Sequence, residues 1–254
     1  MNLELPLTLI ALICAGIAPN IFVAGGVGIV PMSTLAQYVL LPAVVIEVVI
    51  IVYARVAGYS RLVNRLVTGL WVGAMATTGL DVVRQPGTFF GYLAHDEARM
   101  AGEMILAPHN GHDSGEAMPS EEKHRESEAH GAQKAEHSSP GQGGMGHSQV
   151  GPADFVGYVY HYWNGASFGA FYALLFGKTA WWGPVLYSVL FIETGMMGFM
   201  WAAMGPLTWG IFLVSLFAHV AFGLIVGVLL QHFVRDKGTV LTLLSLPPSR
   251  RANP

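Results

Sequence analysis

The stretch LTWGIFLVSLFAHVAFGLIVGVLLQ, residues 207–231, carries one ionisable side chain, His219, and is otherwise apolar or uncharged. A bilayer core of roughly 30 Å is crossed by about 20 apolar residues in an α-helix. The segment is long enough to span, and a helix apolar on every face suits lipid better than a small soluble core. Five more blocks read the same way, at 5–30, 33–54, 62–83, 153–176 and 180–204. Only 11% of the 254 residues are charged, against roughly 25% in an ordinary soluble domain. The pattern predicts an all-α integral membrane protein, a bundle of about six transmembrane helices.

The charges are unevenly placed. Between His95 and Val150 lie ten of the 16 acidic residues and four bases, which leaves that segment near −6. From His109 to Gln149 the composition is Glu, His, Gly, Ser, Pro and Gln, too polar to offset the entropy of ordering. The expected organisation is transmembrane helices 1–3 over 1–85 and an amphipathic outer-surface segment over 86–108. An acidic, His-rich disordered loop over 109–150, helices 4–6 over 151–234 and a cytoplasmic tail over 235–254 complete it. Pro19-Asn20 predicts a break or kink in the first helix, because proline removes a backbone donor. Glu4 stands where a secretory signal would be basic, so this helix reads as one that is retained. Cys14 is the only cysteine, and no internal disulfide can form.

Lys and Arg in short connections set orientation. Arg55, Arg61 and Arg65 follow the second block, Lys178 follows the fourth, and Arg235, Lys237, Arg250 and Arg251 lie in the tail. The connections around Gly25 to Ser33 and at Gly205-Pro206 carry none. The chain is therefore expected in the cell membrane, the cytoplasmic membrane of a prokaryote, with both termini inside and the long loop outside. Three helices on each side of the loop, with Glu47 and Glu193 on the middle helix of each half, also fit a 3+3 inverted repeat.

Ionisable groups within a bilayer cost roughly 2.5–3.5 kcal/mol each on insertion scales, so each needs a reason. Five stand on five different helices: Glu47, Asp81, His161, Glu193 and His219. All could meet in the outer half of the bundle. Two imidazoles with carboxylates form a donor set for a divalent metal, and the same groups could serve as a proton relay. Around His161, the residues Asp154, Tyr158 and Asn164 are candidates for orienting its ring. Met196, Met200 and Met204 repeat at i, i+4, i+8 and are candidate soft ligands that lean toward copper, although methionine is also an ordinary apolar filler. In the loop, His95, His109, His112, His124, His130, His137 and His147 could capture a metal at low affinity, or serve only as polar linker residues. Gly69-xxx-Gly73, Gly165-xxx-Gly169 and Gly223-xxx-Gly227 each allow close helix contact.

The run His161-Tyr-Trp-Asn-Gly165 is similar to short stretches in uncharacterised prokaryotic membrane proteins, a resemblance that implies no function. No P-loop, H-E-x-x-H, C-x-x-C or dinucleotide fingerprint is present, and no catalytic residue is assigned. Three readings follow. The first is a protein that handles a transition metal, copper ahead of zinc or nickel, with a copper or zinc ion bound within the membrane. The second is a redox or assembly subunit in which His161 and His219 ligate haem b or bind a quinol. The third is a structural subunit of a larger membrane complex. The expected partners are the lipid bilayer and other membrane subunits, with no nucleic acid. The orientation is testable by single cysteines at Ser139 and Ser249 in a chain with Cys14 replaced. An impermeant reagent applied to intact cells should label position 139 and spare 249; the reverse pattern inverts the topology.

Overall fold

A computed structural model describes residues 3–92, 97–107, 151–204 and 207–244, with the backbone alone at 202–204 and 243–244. The 109–150 segment expected to be disordered lies outside the described residues, as do the tail positions beyond 244. Among the described residues the chain is helical and has no strand, apart from an isolated bridge between Gly177 and Lys237.

Helix α1 is Glu4–Gly26. Helix α2 is Met32–Val56 and contains a π-turn at Ala36–Leu40. Helix α3 is Ser60–Phe89, the short α4 is Glu97–Leu106, and α5 is Pro152–Phe176. Helix α6 runs through Trp182–Tyr187, a π-turn at Ser188–Glu193 and Thr194–Met204. Helix α7 is Trp209–Phe233, and a 3-10 turn, Val240–Leu244, follows. Five of these, α1, α2, α3, α6 and α7, are long and apolar enough to cross a membrane. The block at 153–176 forms the 25-residue α5, but its Tyr, His, Trp and Asn side chains make it less apolar than the rest. Its position explains how it tolerates them. Helices α1, α3 and α4 all pack along it, and it contributes residues to all three core clusters, so much of its surface meets protein.

The first helix is not broken at Pro19: it runs on from Glu4 to Gly26, and the Asn20 side-chain amide donates to the Gly16 carbonyl, 2.6 Å away. The 86–108 segment divides in two, and its helix keeps Arg99 and Glu103 exposed. Residues 86–89 complete α3 across Pro86, while α4 packs side by side with α5 and buries Ala98, Ala101 and Gly102. The halves also do not pack as related copies. Helix α3 lies along α5, whereas α1 and α7, the equivalent pair in a 3+3 inverted repeat, do not lie along each other.

Glycines set the closest contacts. A Cβ on Gly69 would stand 2.7 Å from the Gly169 oxygen and 2.5 Å from the Ala170 Cα, and one on Gly169 would stand 2.7 Å from the Gly73 Cα. A Cβ on Gly223 would stand 2.7 Å from the Pro184 oxygen, which holds α7 against α6. In α4 and α5, Gly102 and Gly157 face each other's backbone in the same manner.

At the end of the bundle that carries the basic residues, buried Arg65 ties three segments together. Its guanidinium pairs with Asp236 beyond α7 (Nε to Oδ2 2.8 Å) and donates to the carbonyls of Leu174 at 3.2 Å and Gly238 at 2.7 Å. Asn64 donates to the Phe233 carbonyl, accepts from the Arg235 N–H, and so fixes the end of α7 to α3. Arg61 grips the buried Glu4 carboxylate through two hydrogen bonds of 3.0 and 2.9 Å. A fork-on-carboxylate pair of this kind is directional as well as strong.

Because Gly69 faces backbone, Gly69→Ala must push α3 and α5 apart, at a cost of about 1–3 kcal/mol. Gly195→Ala is the control, since its Cβ would meet nothing within 4 Å and an alanine in a helix is neutral to slightly favourable. Thermal unfolding in detergent should show a lower midpoint for the first and no loss for the second. Equal midpoints would mean the helices are not held at glycine distance.

Candidate functional site

The antiparallel glycine contact between α3 and α5 sets a ladder with one rung per turn. Gly73 meets Gly169, Thr77 meets Gly165, and four residues further on α3 and four back on α5, Asp81 meets His161. The pair forms through His161 Nε2 and Asp81 Oδ1 at 2.9 Å, with both side chains largely buried. A carboxylate oxygen accepts, so in a neutral ring Nε2 carries the proton and Nδ1 bears the lone pair.

A second pair stands across the same space. His219 Nδ1 on α7 lies 2.7 Å from Glu193 Oε2 and 3.0 Å from the Ser215 carbonyl, and Ser215 Oγ donates to that Glu193 oxygen at 2.7 Å. Both carboxylate and carbonyl accept, so the neutral ring of His219 is protonated on Nδ1 and bears its lone pair on Nε2. Glu193 closes the π-turn of α6, a wider turn of the type that re-aims side chains at functional sites. In the same turn Ser188 Oγ donates to the His219 carbonyl at 2.7 Å and locks α6 to α7 at this level.

Between the two pairs lies a cavity of about 60 Å³. His161 and Asn164 of α5, Met196 and Met200 of α6, and Ser215 and His219 of α7 line it. Thr77 and Arg84 of α3 and Glu97 of α4 also line it, and Leu80, Phe168, Ile192, Ile211 and Phe222 make much of the wall apolar. Arg84 and Glu97 form an ion pair of 3.3 Å, which joins α3 to α4 beside the cavity. Asn164 Oδ1 is buried and has no hydrogen-bond partner, and the same is true of Glu193 Oε1. A buried acceptor left unpaired costs about 1–3 kcal/mol, so both oxygens are places where a bound donor or cation would gain.

The five ionisable residues singled out from the sequence do not form one ligand group. They divide into the Asp81–His161 pair, the Glu193–His219 pair and Glu47, which does not line the cavity. Glu47 lies on the buried stripe Ala43, Glu47, Ile50, Ala54 of α2, which packs against α1 and α3, and its Oε1 is buried without a partner. Among the described residues, no three His, Cys, Asp or Glu side chains come together as a metal site. Asp154 does not orient His161. It caps α5 by accepting from the Gly151 N–H at 2.7 Å and lies 3.9 Å from Arg99. Tyr158 meets the imidazole with its ring, edge to face at a centroid distance of 6.4 Å, and Tyr162 does so at 6.0 Å. His95 and the six loop histidines from His109 to His147 lie outside the described residues, as does the Met204 side chain.

Sequence reasoning missed Ser215, Arg84 and Glu97. Ser215 stands one turn before His219 on the same face of α7, a spacing that would have flagged it. Glu97 could not have been placed, because nothing in the sequence says that α4 docks on α5. The chain matches no protein-family model, no curated protein and no solved structure.

Glu193→Leu removes the acceptor shared by Ser215 and His219 and leaves both donors buried. The expected loss is about 1–3 kcal/mol, seen as a lower unfolding midpoint in detergent. Glu193→Gln keeps an acceptor and should lose less. If the leucine variant is as stable as the parent, the pair does not hold α6 to α7.

Proposed function

We propose that the chain is a six-span protein of the prokaryotic cytoplasmic membrane, in which α5 is the sixth span. We propose further that it binds a transition metal, copper ahead of zinc or nickel, in the cavity between α3, α5, α6 and α7. One observation carries the reading: two imidazoles, each with one ring nitrogen bonded to a carboxylate, line the same small cavity as two thioethers. Metal-binding histidines almost always give their second nitrogen to a carboxylate or carbonyl, which fixes the tautomer and raises the basicity of the ligating nitrogen. In this reading His161 Nδ1 and His219 Nε2 are the ligating atoms, and Met196 and Met200 are soft co-ligands. Asp81 and Glu193 orient the rings rather than bind the ion. Glu47 stands aside from the site.

A cavity of about 60 Å³ has room for an ion or a few water molecules between the two rings. The loop histidines, outside the membrane, would raise the local metal concentration near the cavity. Arg84 and Glu97 stand at the same end of the bundle as that loop, beside the route such an ion would take.

The test uses the purified full-length chain in detergent, stripped of metal and titrated with Cu(I) against a competing chelator. The parent should bind copper, His161→Ala/His219→Ala should lose the Cu(I) equivalent held by the cavity, and Asp81→Asn alone should weaken binding there about 10–100-fold. If the double variant binds Cu(I), Zn(II) and Ni(II) as the parent does, the cavity is not a metal site and the structural-subunit reading leads.

A further inference from the structure

Beside the histidine cavity, at the loop end of the bundle, lies a cluster with a different chemistry. Met32 at the start of α2 is 2% exposed and Met200 on α6 is 9% exposed, and both are buried in one core cluster with Phe22, Tyr160 and Phe199. Met100 and Met104, one turn apart on α4, and Met196 and Met197 on α6 pack against the same cluster. The methionines are not spread through the protein as filler would be. Of the seven methionine side chains the structure describes, six belong to this cluster and only Met75 stands elsewhere. The other two core clusters are built from Ala, Val, Leu, Ile, Phe and Tyr and contain no methionine.

Three chain segments far apart in sequence contribute these methionines. Helix α4 reaches the site only because Gly102 and Gly157 let it lie against α5 backbone to backbone. Two of the methionines, Met196 and Met200, line the histidine cavity as well, so the two sites share a wall. Thioethers are neutral, polarisable donors that bind monovalent copper and silver well and offer little to zinc, nickel or magnesium. A site built mainly of thioethers therefore selects by softness and by charge state.

We infer that the methionines of α2, α4 and α6 form a second metal site, selective for a soft monovalent cation, Cu(I) or Ag(I), adjoining the histidine cavity. The inference rests on the metal-handling reading for its biological sense, since it makes Cu(I) rather than a divalent ion the cargo. The ion would pass between the sites through Met196 and Met200, exchanging thioether for imidazole ligands without a change of oxidation state.

The test again uses the full-length chain in detergent. Met32→Leu/Met100→Leu/Met104→Leu preserves volume and apolarity and leaves the shared Met196 and Met200 untouched. Ag(I) bound after dialysis is counted by elemental analysis, with Zn(II) as the hard-ion control. The parent should bind at least one Ag(I) equivalent more than the triple variant, with Zn(II) binding unchanged. His161→Ala/His219→Ala should keep that equivalent, whether or not the cavity binds copper, which separates the two proposals. Equal Ag(I) binding by parent and triple variant makes the methionines packing residues and overturns the inference. Should the triple variant not fold, X-ray absorption on the Cu(I)-loaded parent decides. The same measurement on Cu(I)-loaded His161→Ala/His219→Ala isolates the second site: copper–sulfur scattering from three or more thioethers supports it, and a first shell of nitrogen and oxygen alone overturns it.

Discussion

Gly69 and Gly73 of α3 lie against Gly165 and Gly169 of α5 with no side chain between them, and this approach fixes where every polar group in the bundle can stand. Two antiparallel helices at this separation have one register, because a slip by a residue drives a Cβ into backbone. The register places Asp81 opposite His161. It also sets α5 among α1, α3 and α4, which buries Tyr160 and Tyr172 while Phe155, Tyr158 and Val159 stay exposed. Lipid gives helices no hydrophobic reason to associate, so close backbone packing has to supply one.

Ionisable groups at membrane depth cost roughly 2.5–3.5 kcal/mol each, while a hydrogen bond to a charged group returns about 1.5–3 kcal/mol. One such bond therefore offsets most of the cost. Asp81, His161, Glu193 and His219 are arranged in that way, and Ser215 adds a further donor. Glu47 belongs to neither pair, and its Oε1, like that of Glu193, is buried without a partner. Its place on a stripe of Ala and Ile explains why it cannot join the others, since that face of α2 turns toward α1 and α3.

The helices were legible because lipid solvation imposes long apolar runs, a constraint written locally in the chain. The three glycine spacings were legible as contact surfaces, but not their partners, because Gly69-xxx-Gly73 could have met any small-residue face. Asp81 and His161 were both recognised as candidates. Their pairing depends on helix register, which is a property of two segments and not of either. Glu193 and His219 meet through a π-turn, and a single inserted residue in the hydrogen-bond pattern leaves no signature in composition. Asp154 misled for the opposite reason: its spacing from His161 was right, yet an acidic residue in the first turn of a helix is drawn to the backbone donors there. The methionines of α4 were read as part of a surface strip, because the docking of a ten-residue helix depends on Gly102 and Gly157 meeting.

The two ends of the bundle are held by different means. Arg65, Arg61 and Asn64 bind α1, α3, α5 and the chain beyond α7 into a riveted floor, through buried guanidinium forks and carbonyls. Among the described residues, the opposite rim rests on packing against α4 and on partly exposed ion pairs that tie α4 to its neighbours, Arg84–Glu97 at 3.3 Å and Arg99–Asp154 at 3.9 Å. Local opening follows the weakest closure, so the rim yields first and the floor last.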